Sequence, residues 1–595
     1  MIPYNPPIDD MSFLLNDLGM LPQVSSLPGY EEADAELVDA LLNEAGKLSS
    51  EVLAPLNKSG DEQGATFENG VVRTADGFAD AYQTYVEGGW NGLTCNTKYG
   101  GQQMPSLIGT AVLEMFTSAN MAWSLCPILT VGAIESLEVY GSEELKKTYL
   151  PKLISGEWPG TMNLTEPHAG SDLAELRCRA VPEGDHYRIH GQKIFISYGE
   201  HDMTDNIIHM VLARLPDAPE GTRGISLFLV PKMLVEEDES LGQRNDLRCA
   251  SVEHKLGIHA SPTCVMAFGD NEGAVGYLVG EKNEGLKAMF TMMNMARFNV
   301  GLQGVSIAER AYQQARDFAK ERVQGRVDGG GSDKVSIINH PDVRRMLMSI
   351  KAQTEAMRAL AYDTAVQFDI SKRHPDEAAR AGAQARLDLL TPIVKAWSTD
   401  LGVELSSTAV QVHGGMGFIE ETGISQHYRD SRIAPIYEGT NGIQARDLVG
   451  RKVLRDQGKT AKSYIAEMRE IATAAAGLEA PCAEIGSNLA RAIDALAETT
   501  DWLIENGGKT PALAFAGATA YLELFGNVAG GAMMTRAANA ASAALEVGDG
   551  NQDFYQTKLA TARFYAEHVL PKCEGLAASI IKGADSFLSL PEDAF

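Results

Sequence analysis

The hydrophobic positions in the first quarter of the chain follow the spacing of α-helices. Residues 34–48 and 143–153 place apolar side chains every three to four positions, as one buried helix face requires. Between them, residues 107–140 are strongly apolar and rich in small residues, which predicts a pair of helices buried on nearly all sides. We therefore predict a helical domain over residues 36–160, after an N-terminal extension at 1–35.

The spacing changes near Met162, where short runs rich in β-branched and aromatic residues replace the helical pattern. These runs are separated by Gly, Pro and Asp and occur at residues 186–190, 192–196, 206–214, 224–230 and 263–268. Short strands without helices between them favour an antiparallel sheet or a small barrel. We predict that this middle β domain occupies residues 161–281.

From Gly285 onward the pattern is helical again. The longest periodic segments, which predict long helices, are 311–322, 343–368 and 387–412. The glycine-rich residues 328–332 predict a flexible insert between the first two. The sequence thus predicts a helical bundle over residues 282–455 and an additional, alanine-rich helical domain over 456–595.

Composition narrows the classes of partner. The 595 residues exceed what one hydrophobic core organises, in agreement with several domains. The chain has 51 basic and 79 acidic residues, a formal net charge of -28, which disfavours nucleic acid and anionic membranes as partners of its whole surface. Its 7 cysteines show no CxxC spacing, so we predict neither a disulfide framework nor a metal site.

The sequence carries no targeting signal that we recognise. The first ten residues lack the basic region and hydrophobic segment of a signal peptide, and the final residues, PEDAF, are not a peroxisomal address. No run of 18 consecutive apolar residues indicates a membrane span. We therefore expect a cytoplasmic protein without a transmembrane segment.

The stretch PIYEGTNGIQ at residues 435–444 is the strongest candidate for chemistry. It places Glu438 between Tyr437 and Gly439 on a sharp turn, before an amphipathic segment that runs to Arg451. A carboxylate on a loop at the mouth of a helix can act as a base directed into a cavity, and Gly439 lets a ligand approach the backbone closely. On these residues alone, a solvated glutamate that starts a helix is the alternative interpretation.

A second candidate stretch lies where helix gives way to sheet. The sequence TEPHAGSD at residues 165–172 offers backbone donors and the hydroxyls of Thr165 and Ser171, which suit a flat polar ring and a phosphate-bearing chain. A proline-glycine turn without a ligand is the alternative. Further on, Phe195 and Ser197 can add an aromatic wall and a hydroxyl, unless Phe195 belongs to the hydrophobic core.

Together these motifs resemble those of the acyl-CoA dehydrogenase family. Five segments similar to family motifs occur in the family order, and the similarity covers about residues 35–452. They are TEPxAGSD at 165–172, the flavin-wall segment GQKIFIS at 191–197, Glu321-Arg322 at the entry of the third domain, QxxGGxG at 411–417 and YEGT at 437–440. The resemblance implies a mainly α fold with a central β domain. An N-terminal helical domain, an antiparallel β-barrel or sheet and a C-terminal four-helix bundle are expected, here with an additional C-terminal helical domain.

The resemblance also implies FAD as cofactor, an acyl-CoA thioester as substrate and no metal. Contacts with FAD are implied for Met162, Leu164, Thr165, Gly170, Ser171, Phe195, Ile196, Ser197, Arg322, His340, Gln411, Gly414, Gly415 and Thr440. Arg322, His340 and residues 411–415 would meet the adenosine side of FAD in an adjacent subunit, which implies a homodimer or a dimer of dimers. Ser171, Arg297 and Gly439 would contact the CoA substrate, and Glu438 would be the catalytic base.

The reaction that the family carries out is α,β-dehydrogenation of the thioester to a trans-2-enoyl-CoA. Glu438 would abstract the α-proton in a dry cavity beside the flavin, where desolvation raises the basicity of a carboxylate. The enolate oxygen would accept hydrogen bonds from the Glu438 N–H and from a ribityl hydroxyl of FAD. The β-hydrogen would leave as hydride to flavin N5, and an electron-transfer flavoprotein would be the electron acceptor.

The chain departs from the family pattern at several positions. Some members place the base at a position that is Ala296 here, which favours Glu438 as the base. Asn294 replaces an aspartate three residues before the CoA-binding arginine, so a carboxylate contact with the substrate is not expected. His168 replaces a glycine and is interpreted as a structural turn residue, with a substrate-side contact as the alternative. Gly442 replaces a side chain that helps to bind FAD.

Residues 1–35 and 456–595 resemble extensions found in a larger branch of the family. The branch implies 3-methylmercaptopropionyl-CoA as substrate and methylthioacryloyl-CoA as product, in dimethylsulfoniopropionate catabolism. The alternatives are a medium- or long-chain acyl-CoA dehydrogenase of fatty acid β-oxidation and a related acyl-CoA oxidase. A DNA-associated relative with a basic C-terminal domain is disfavoured, because residues 456–595 hold 10 basic and 18 acidic residues.

Overall fold

A computed structural model describes residues 3–327, 333–548 and 550–595, so the predicted insert at 328–332 lies outside the described residues. The α-helices are α1 Ile8–Ser12, α2 Met20–Ser25, α3 Ala35–Lys47, α4 Pro55–Gln63, α5 Phe78–Glu87, α6 Ser106–Ala119, α7 Met121–Tyr140, α8 Glu143–Ser155, α9 Gly285–Glu321, α10 Pro341–Arg373, α11 Glu377–Val412, α12 Ile424–Ser431, α13 Asn441–Asp447, α14 Lys459–Ala476, α15 Cys482–Gly507, α16 Pro511–Ala516, α17 Ala518–Val547, α18 Gln552–His568, α19 Lys572–Lys582 and α20 Asp585–Leu588. The β-strands are β1 Thr66–Glu68, β2 Val71–Arg73, β3 Gly160–Asn163, β4 Arg179–Glu183, β5 His186–Ser197, β6 Ile208–Arg214, β7 Ile225–Pro231, β8 Met233–Val235, β9 Leu241–Arg244, β10 Leu247–Val252, β11 Thr263–Phe268 and β12 Ala274–Val279. The predicted fold class, mainly α with a central β domain, is confirmed.

By contacts among its residues, the chain forms two compact units. The first unit comprises residues 45–104 and 115–299 with the start of the chain, and the second comprises residues 5–44, 105–114 and 300–595. The division falls within α3, within α6 and within α9. All strands from β3 to β12 belong to the first unit, and all helices from α10 to α20 belong to the second.

The main sheet of the first unit has eight strands in the order β10-β11-β5-β12-β7-β6-β3, with β4 beside β5 and β6. Most pairs are antiparallel, as the sequence predicted, but β3 runs parallel to β6. Two parallel neighbours need a long crossover, and residues 164–207, which include β4 and β5, supply it. The alternating pattern identified these strands without showing which strand lies beside which.

Helix α7 forms the inner layer of the first unit and fixes the position of β3. The hydroxyl of Thr130 accepts a hydrogen bond from the Gly160 N–H at 3.1 Å. A Cβ on Gly160 would lie 2.5 Å from the Cβ of Ala133, so only glycine permits this approach. By length and composition α7 could span a membrane, but 72% of its most apolar 18-residue window is buried inside the fold. Such burial is expected of a core helix, and the apolarity of α7 serves packing here.

The second unit is built on the long helices α9, α10 and α11, with the additional C-terminal helices packed against them. A Cβ on Gly304 would lie 2.1 Å from the Ser398 carbonyl oxygen, so α9 and α11 cross with their backbones in close contact. On α11, Trp397 is buried, and its indole N–H donates to the Asn527 side chain on α17 at 3.0 Å. Helix α11 is therefore held from two sides.

Buried charges connect the N-terminal and C-terminal extensions to the bundle of the second unit. Arg358 on α10 donates to Glu114 and to Glu309, each at 2.7 Å. Lys558 on α18 donates to Glu355 at 3.0 Å and also to Asp10 on α1. Because a buried charge is stable only with a partner, these contacts fix both extensions in place.

Candidate active site

Glu438 lies on a turn whose backbone is left-handed. The φ angles are +55° at Glu438 and +87° at Gly439, and the Glu438 side chain is partly exposed. Helix α13 begins directly afterwards, where the Thr440 hydroxyl accepts the Ile443 N–H at 3.3 Å. The base predicted from sequence is thus projected from a tight turn at a helix N-terminus.

Three polar side chains hold this turn, and the sequence reasoning missed all of them. Lys395 on α11 is fully buried and donates to the Gly439 carbonyl at 2.9 Å and to the Asn441 side-chain oxygen at 2.8 Å. Gln444 donates to the carbonyls of Glu438 and Gly439 at 3.2 and 3.3 Å. We name Lys395, Asn441 and Gln444 the turn clasp. Its sequence signal was a single lysine within the apolar run 389–397.

The residue before the base is anchored from the other side. The Tyr437 hydroxyl donates to the side-chain oxygen of Gln303 on α9, which is buried. Burial, reinforced by the charge of Glu438, raises the pKa of Tyr437 above its ordinary value. The phenol therefore stays protonated and keeps donating this bond at neutral pH.

The 165–172 loop of the first unit is organised around a buried ion pair. Lys193 on β5 is fully buried and donates to the Leu164 carbonyl at 2.9 Å and to Glu166 at 2.8 Å. Glu166 also accepts the N–H groups of Arg177 and Cys178 at 2.7 and 3.0 Å. Burial alone would raise the pKa of Glu166, but the charge of Lys193 and these hydrogen bonds outweigh it and hold that pKa below its ordinary value. The carboxylate therefore stays charged and fixes the loop.

The outer face of this loop is open, whereas Met162 on β3 is buried. Gly170 and Ser171 are exposed, and a Cβ on Gly170 would have only the Thr165 methyl group within 4 Å, at 3.9 Å. The His168 ring contacts the Glu175 carbonyl of the same loop at 3.1 Å. That contact agrees with a structural turn role for His168.

Phe195 is an exposed aromatic ring at the end of β5. Its side chain is 59% exposed and its φ is +61°, whereas the next residue, Ile196, is 2% exposed. The alternative that places Phe195 in the hydrophobic core is therefore wrong. Ser197 follows in register with Thr263 on β11, so the strand presents an aromatic face and then a hydroxyl.

The residues expected to meet the adenosine side of FAD lie on two exposed features of the second unit. Arg322 and His340 belong to segments joined by a β-bridge between Val323 and Ser336, and the His340 ring contacts the Gln324 carbonyl at 2.7 Å. At the end of α11, Gln411, Gly414 and Gly415 are all exposed. A Cβ on either of these glycines would have nothing within 4 Å, so a ligand can approach this backbone.

The remaining candidate residues lie on α9 and in the turn before α12. Arg297 lies on the part of α9 in the first unit and is partly exposed, and Ala296 beside it is 5% exposed. Glu420 and Glu421 lie in an exposed turn, where Glu420 pairs with Arg429 at 3.1 Å. A solvated, paired carboxylate is a poor base, which leaves Glu438 as the candidate.

The domains described above match those of a family of FAD-dependent oxidoreductases that act on acyl-CoA thioesters. Four family models match the chain in order: the acyl-CoA dehydrogenase N-terminal domain at residues 38–157, the middle domain at 161–271, the C-terminal domain at 283–454, and an acetyl-CoA dehydrogenase C-terminal-like domain at 464–591. The chain belongs to the acyl-CoA dehydrogenase family. The resemblance drawn from the sequence motifs is confirmed.

Individual relatives span almost the whole chain. The chain is 49% identical to the 3-methylmercaptopropionyl-CoA dehydrogenase of Ruegeria pomeroyi, over 98% of this chain and 99% of that protein. It is 35% identical to a butyryl-CoA dehydrogenase of Syntrophomonas wolfei, over 98% of each. An acyl-CoA dehydrogenase structure from Bacillus anthracis, in complex with FAD, has a TM-score of 0.74 and 21% identity, covering 94% of this chain and 90% of that one. The first two similarities extend through the additional C-terminal domain, and the third shows the fold.

Proposed function

We propose that the protein oxidises 3-methylmercaptopropionyl-CoA to methylthioacryloyl-CoA. The observation that carries this proposal is the 49% identity, over 98% of the chain, to a relative of that name. The match includes residues 464–591, which lie outside the three common family domains. Identity at this level over nearly the full length of both proteins favours a shared substrate.

Glu438 is the proposed base that takes the α-proton of the thioester. Its carboxylate projects from a turn that hydrogen bonds hold at Gly439 and Asn441, so little reorganisation is needed before proton transfer. The Glu438 N–H is the proposed donor to the thioester oxygen, where charge develops. FAD, when bound, supplies the acceptor for the β-hydrogen and its electron pair.

The chemistry of the exposed residues fits FAD. Phe195 offers an aromatic face, Thr165, Ser171 and Ser197 offer hydroxyls, and Gly170 leaves its backbone open to an anionic chain. Met162, Leu164 and Ile196 would complete this side, and Thr440 would lie beside the base. Arg322, His340, Gln411, Gly414 and Gly415 would receive the adenosine side of FAD in an adjacent subunit.

A homodimer or a dimer of dimers follows from that division of the cofactor site. Next to the glycines that follow α11, Met416, Phe418 and Ile419 are 47%, 89% and 44% exposed, which suits a contact with another copy. Arg322→Ala should lower FAD content and subunit association together, measured by absorbance and light scattering. If neither the FAD content nor the subunit association falls, Arg322 does not take part in the proposed subunit contact. A cytoplasmic location and an electron-transfer flavoprotein as acceptor complete the proposal.

A panel of acyl-CoA esters tests the substrate. We expect the highest kcat/KM for 3-methylmercaptopropionyl-CoA, measured with an electron-transfer flavoprotein or a dye as acceptor. Butyryl-CoA is the main competitor, because a butyryl-CoA dehydrogenase is 35% identical over 98% of the chain. A preference for butyryl-CoA or for long-chain esters would contradict the proposed substrate and leave the proposed reaction unchanged. Rapid peroxide formation would indicate an oxidase.

A further inference from the structure

The turn that carries Glu438 requires support from its surroundings. A non-glycine residue with φ of +55° is strained and persists only where other contacts hold it. The following residue, Gly439, has φ of +87°, so two consecutive residues have a left-handed backbone conformation. If these peptides rotated, the Glu438 side chain would leave from a different direction.

The turn clasp fixes these two peptides through their carbonyl oxygens. The ammonium of Lys395 lies 2.9 Å from the Gly439 oxygen, and the Gln444 amide reaches the oxygens of both Glu438 and Gly439. A carbonyl that accepts a bond from a buried cation can rotate away only by losing that charge-assisted hydrogen bond, which is stronger than one between neutral groups. The ammonium therefore locks the main chain immediately after the base.

The third member of the turn clasp ties it to α11. The Asn441 side-chain oxygen accepts from Lys395 at 2.8 Å, and its amide group donates to Asp400 at 2.8 Å and to the Ala396 carbonyl at 3.1 Å. Burial raises the pKa of Asp400, whereas the bond from Asn441 opposes that rise. All these partners lie on one turn and a half of α11.

Helix α11 is a rigid support at this level. A Cβ on Gly301 of α9 would lie 2.7 Å from the Val394 carbonyl oxygen, the residue before Lys395. On the other side, Trp397 packs against Gly526 and Gly530 of α17, where added Cβ atoms would lie 2.3 and 2.7 Å from its ring. The lysine thus projects from a segment with backbone contacts on one side and an aromatic anchor on the other.

We propose that Lys395 is a positioning residue for the base, an inference that rests on the proposed role of Glu438. Its ammonium holds the Gly439 carbonyl and the Asn441 side chain, so that the carboxylate starts from one fixed Cα position. Proton transfer from carbon requires the base within hydrogen-bond reach, and a displacement of about 1 Å can cost about 100-fold in rate. Lys395 acts through the main chain and takes no proton itself.

The variant Lys395→Met tests the proposal, because methionine keeps the length of the side chain and removes its charge and donors. Lys558→Met is the matched control, because Lys558 is likewise a buried lysine but lies outside the site. Its partners are the carboxylates of Asp10 and Glu355. Both purified holoenzymes are compared for FAD content, thermal unfolding, substrate Kd and the rate of flavin reduction in a single turnover. Substrate deuterated at the α-carbon supplies a kinetic isotope effect.

We expect both variants to lose thermal stability, and only Lys395→Met to lose rate. Its single-turnover reduction should fall about 10- to 100-fold with Kd changed less than about threefold, because substrate binding does not need the aligned carboxylate. The α-deuterium isotope effect should rise, since α-proton abstraction becomes slower than later steps. Lys395→Arg, which keeps a cation, should recover part of the rate.

A reduction rate within about threefold of Lys558→Met, or an unchanged α-isotope effect, would overturn the proposal. If Lys395→Met fails to fold, Gln444→Met removes the second donor to the same carbonyls and should give the same isotope signature with a smaller rate loss. No change in that variant would equally overturn it. Glu438→Gln distinguishes the two proposals. Near-normal flavin reduction in that variant would show that Glu438 is not the base, and any effect of Lys395→Met would then act through another residue.

Discussion

Two loops of the protein, one in each unit, solve a similar structural problem with the same residue type. The turn at Glu438 contains a non-glycine residue with φ of +55°, and the loop at 164–172 belongs to the same region as Phe195 of β5, whose φ is +61°. Under each lies a lysine that is fully buried and donates to a loop carbonyl, Lys193 to Leu164 and Lys395 to Gly439. In both places a buried ammonium group holds the main chain by donating a hydrogen bond to a carbonyl oxygen.

The two lysines differ in their second partner. Lys193 also binds the buried carboxylate of Glu166 within its loop, whereas the side chain that Lys395 binds in its turn is the amide of Asn441, and the charge of Lys395 also acts on the Asp400 carboxylate of α11. An ion pair couples the loop to the stability of the sheet, because breaking a buried pair leaves an uncompensated charge. The bonds from Lys395 to the Gly439 carbonyl and the Asn441 side chain hold the turn that carries Glu438, so they mainly fix its orientation. We infer that loss of Lys193 chiefly affects stability and cofactor retention, and that loss of Lys395 chiefly affects rate.

The largest effect should come from the base itself. Glu438→Gln keeps the size and the N–H of the residue and removes the proton acceptor. Turnover should fall by about two to four orders of magnitude, the usual contribution of a positioned general base, with FAD still bound. The rate of flavin reduction and the FAD absorbance measure the two parts. Near-normal reduction would assign the base to another residue. The turn at Glu438 would then have no catalytic role to compare with the loop at 164–172.

Lys193→Met should cost the most stability. Removing one partner of a buried ion pair costs about 3–5 kcal/mol, and Glu166 is only 3% exposed. We expect a lower free energy of unfolding in denaturant titration and loss of FAD during purification. Lys193→Met combined with Glu166→Gln should recover part of the stability, because no charge is then left unpaired. A stable, fully FAD-loaded single variant would contradict the distinction drawn between the lysines.

Acid should weaken the same loop in a predictable direction. The pKa of Glu166 in the folded chain is held below its ordinary value of 4.5. The stability that this carboxylate contributes is therefore present above the pKa of the unfolded chain and is lost as pH falls through the folded pKa. The difference in unfolding temperature between wild type and Glu166→Gln, measured from pH 7 down to about pH 3, should narrow as the pH falls below the ordinary carboxyl pKa of 4.5. A difference independent of pH would show that Glu166 does not titrate as proposed.

The smallest effect should come from Phe195→Gly. Relief of the left-handed backbone strain is worth about 1 kcal/mol and offsets the lost side-chain contacts, so the apoprotein should unfold at a similar temperature. FAD binding should weaken, because the exposed ring no longer packs on the flat ligand. Calorimetric titration of apoprotein with FAD measures the change. Unaltered affinity would mean that Phe195 does not line the cofactor site.

The sequence predicted the long helices well because their apolar positions recur over many turns. Residues 343–368 and 387–412 lie in α10 and α11, and 107–140 form α6 and α7. The hairpin of β1 and β2 was missed, because each strand has three residues and β2 buries a single side chain. The parallel pairing of β3 with β6 was also missed, since alternation identifies a strand and not its neighbour.

At the site, sequence motifs predicted the residues that face outward better than those that hold them. Glu438, Phe195 and Ser171 belong to short contiguous motifs that can be recognised along the chain. Lys395 lies 43 residues before Glu438, and helical spacing shows that it faces the interior without showing what it meets there. The signal was present in the form of one charge in an apolar run, because a buried charge requires a partner.

The bond between Lys558 and Asp10 has a consequence for the order of events during synthesis. The two residues are 548 positions apart in sequence. At about 5–20 residues per second, a ribosome needs roughly half a minute to two minutes to translate that interval. The segment around Asp10 leaves the ribosome first and lacks this partner until α18 is translated. A nascent chain therefore carries an incomplete charge cluster throughout that interval, and the bond between Asp10 and Lys558 can form only after α18 has been translated.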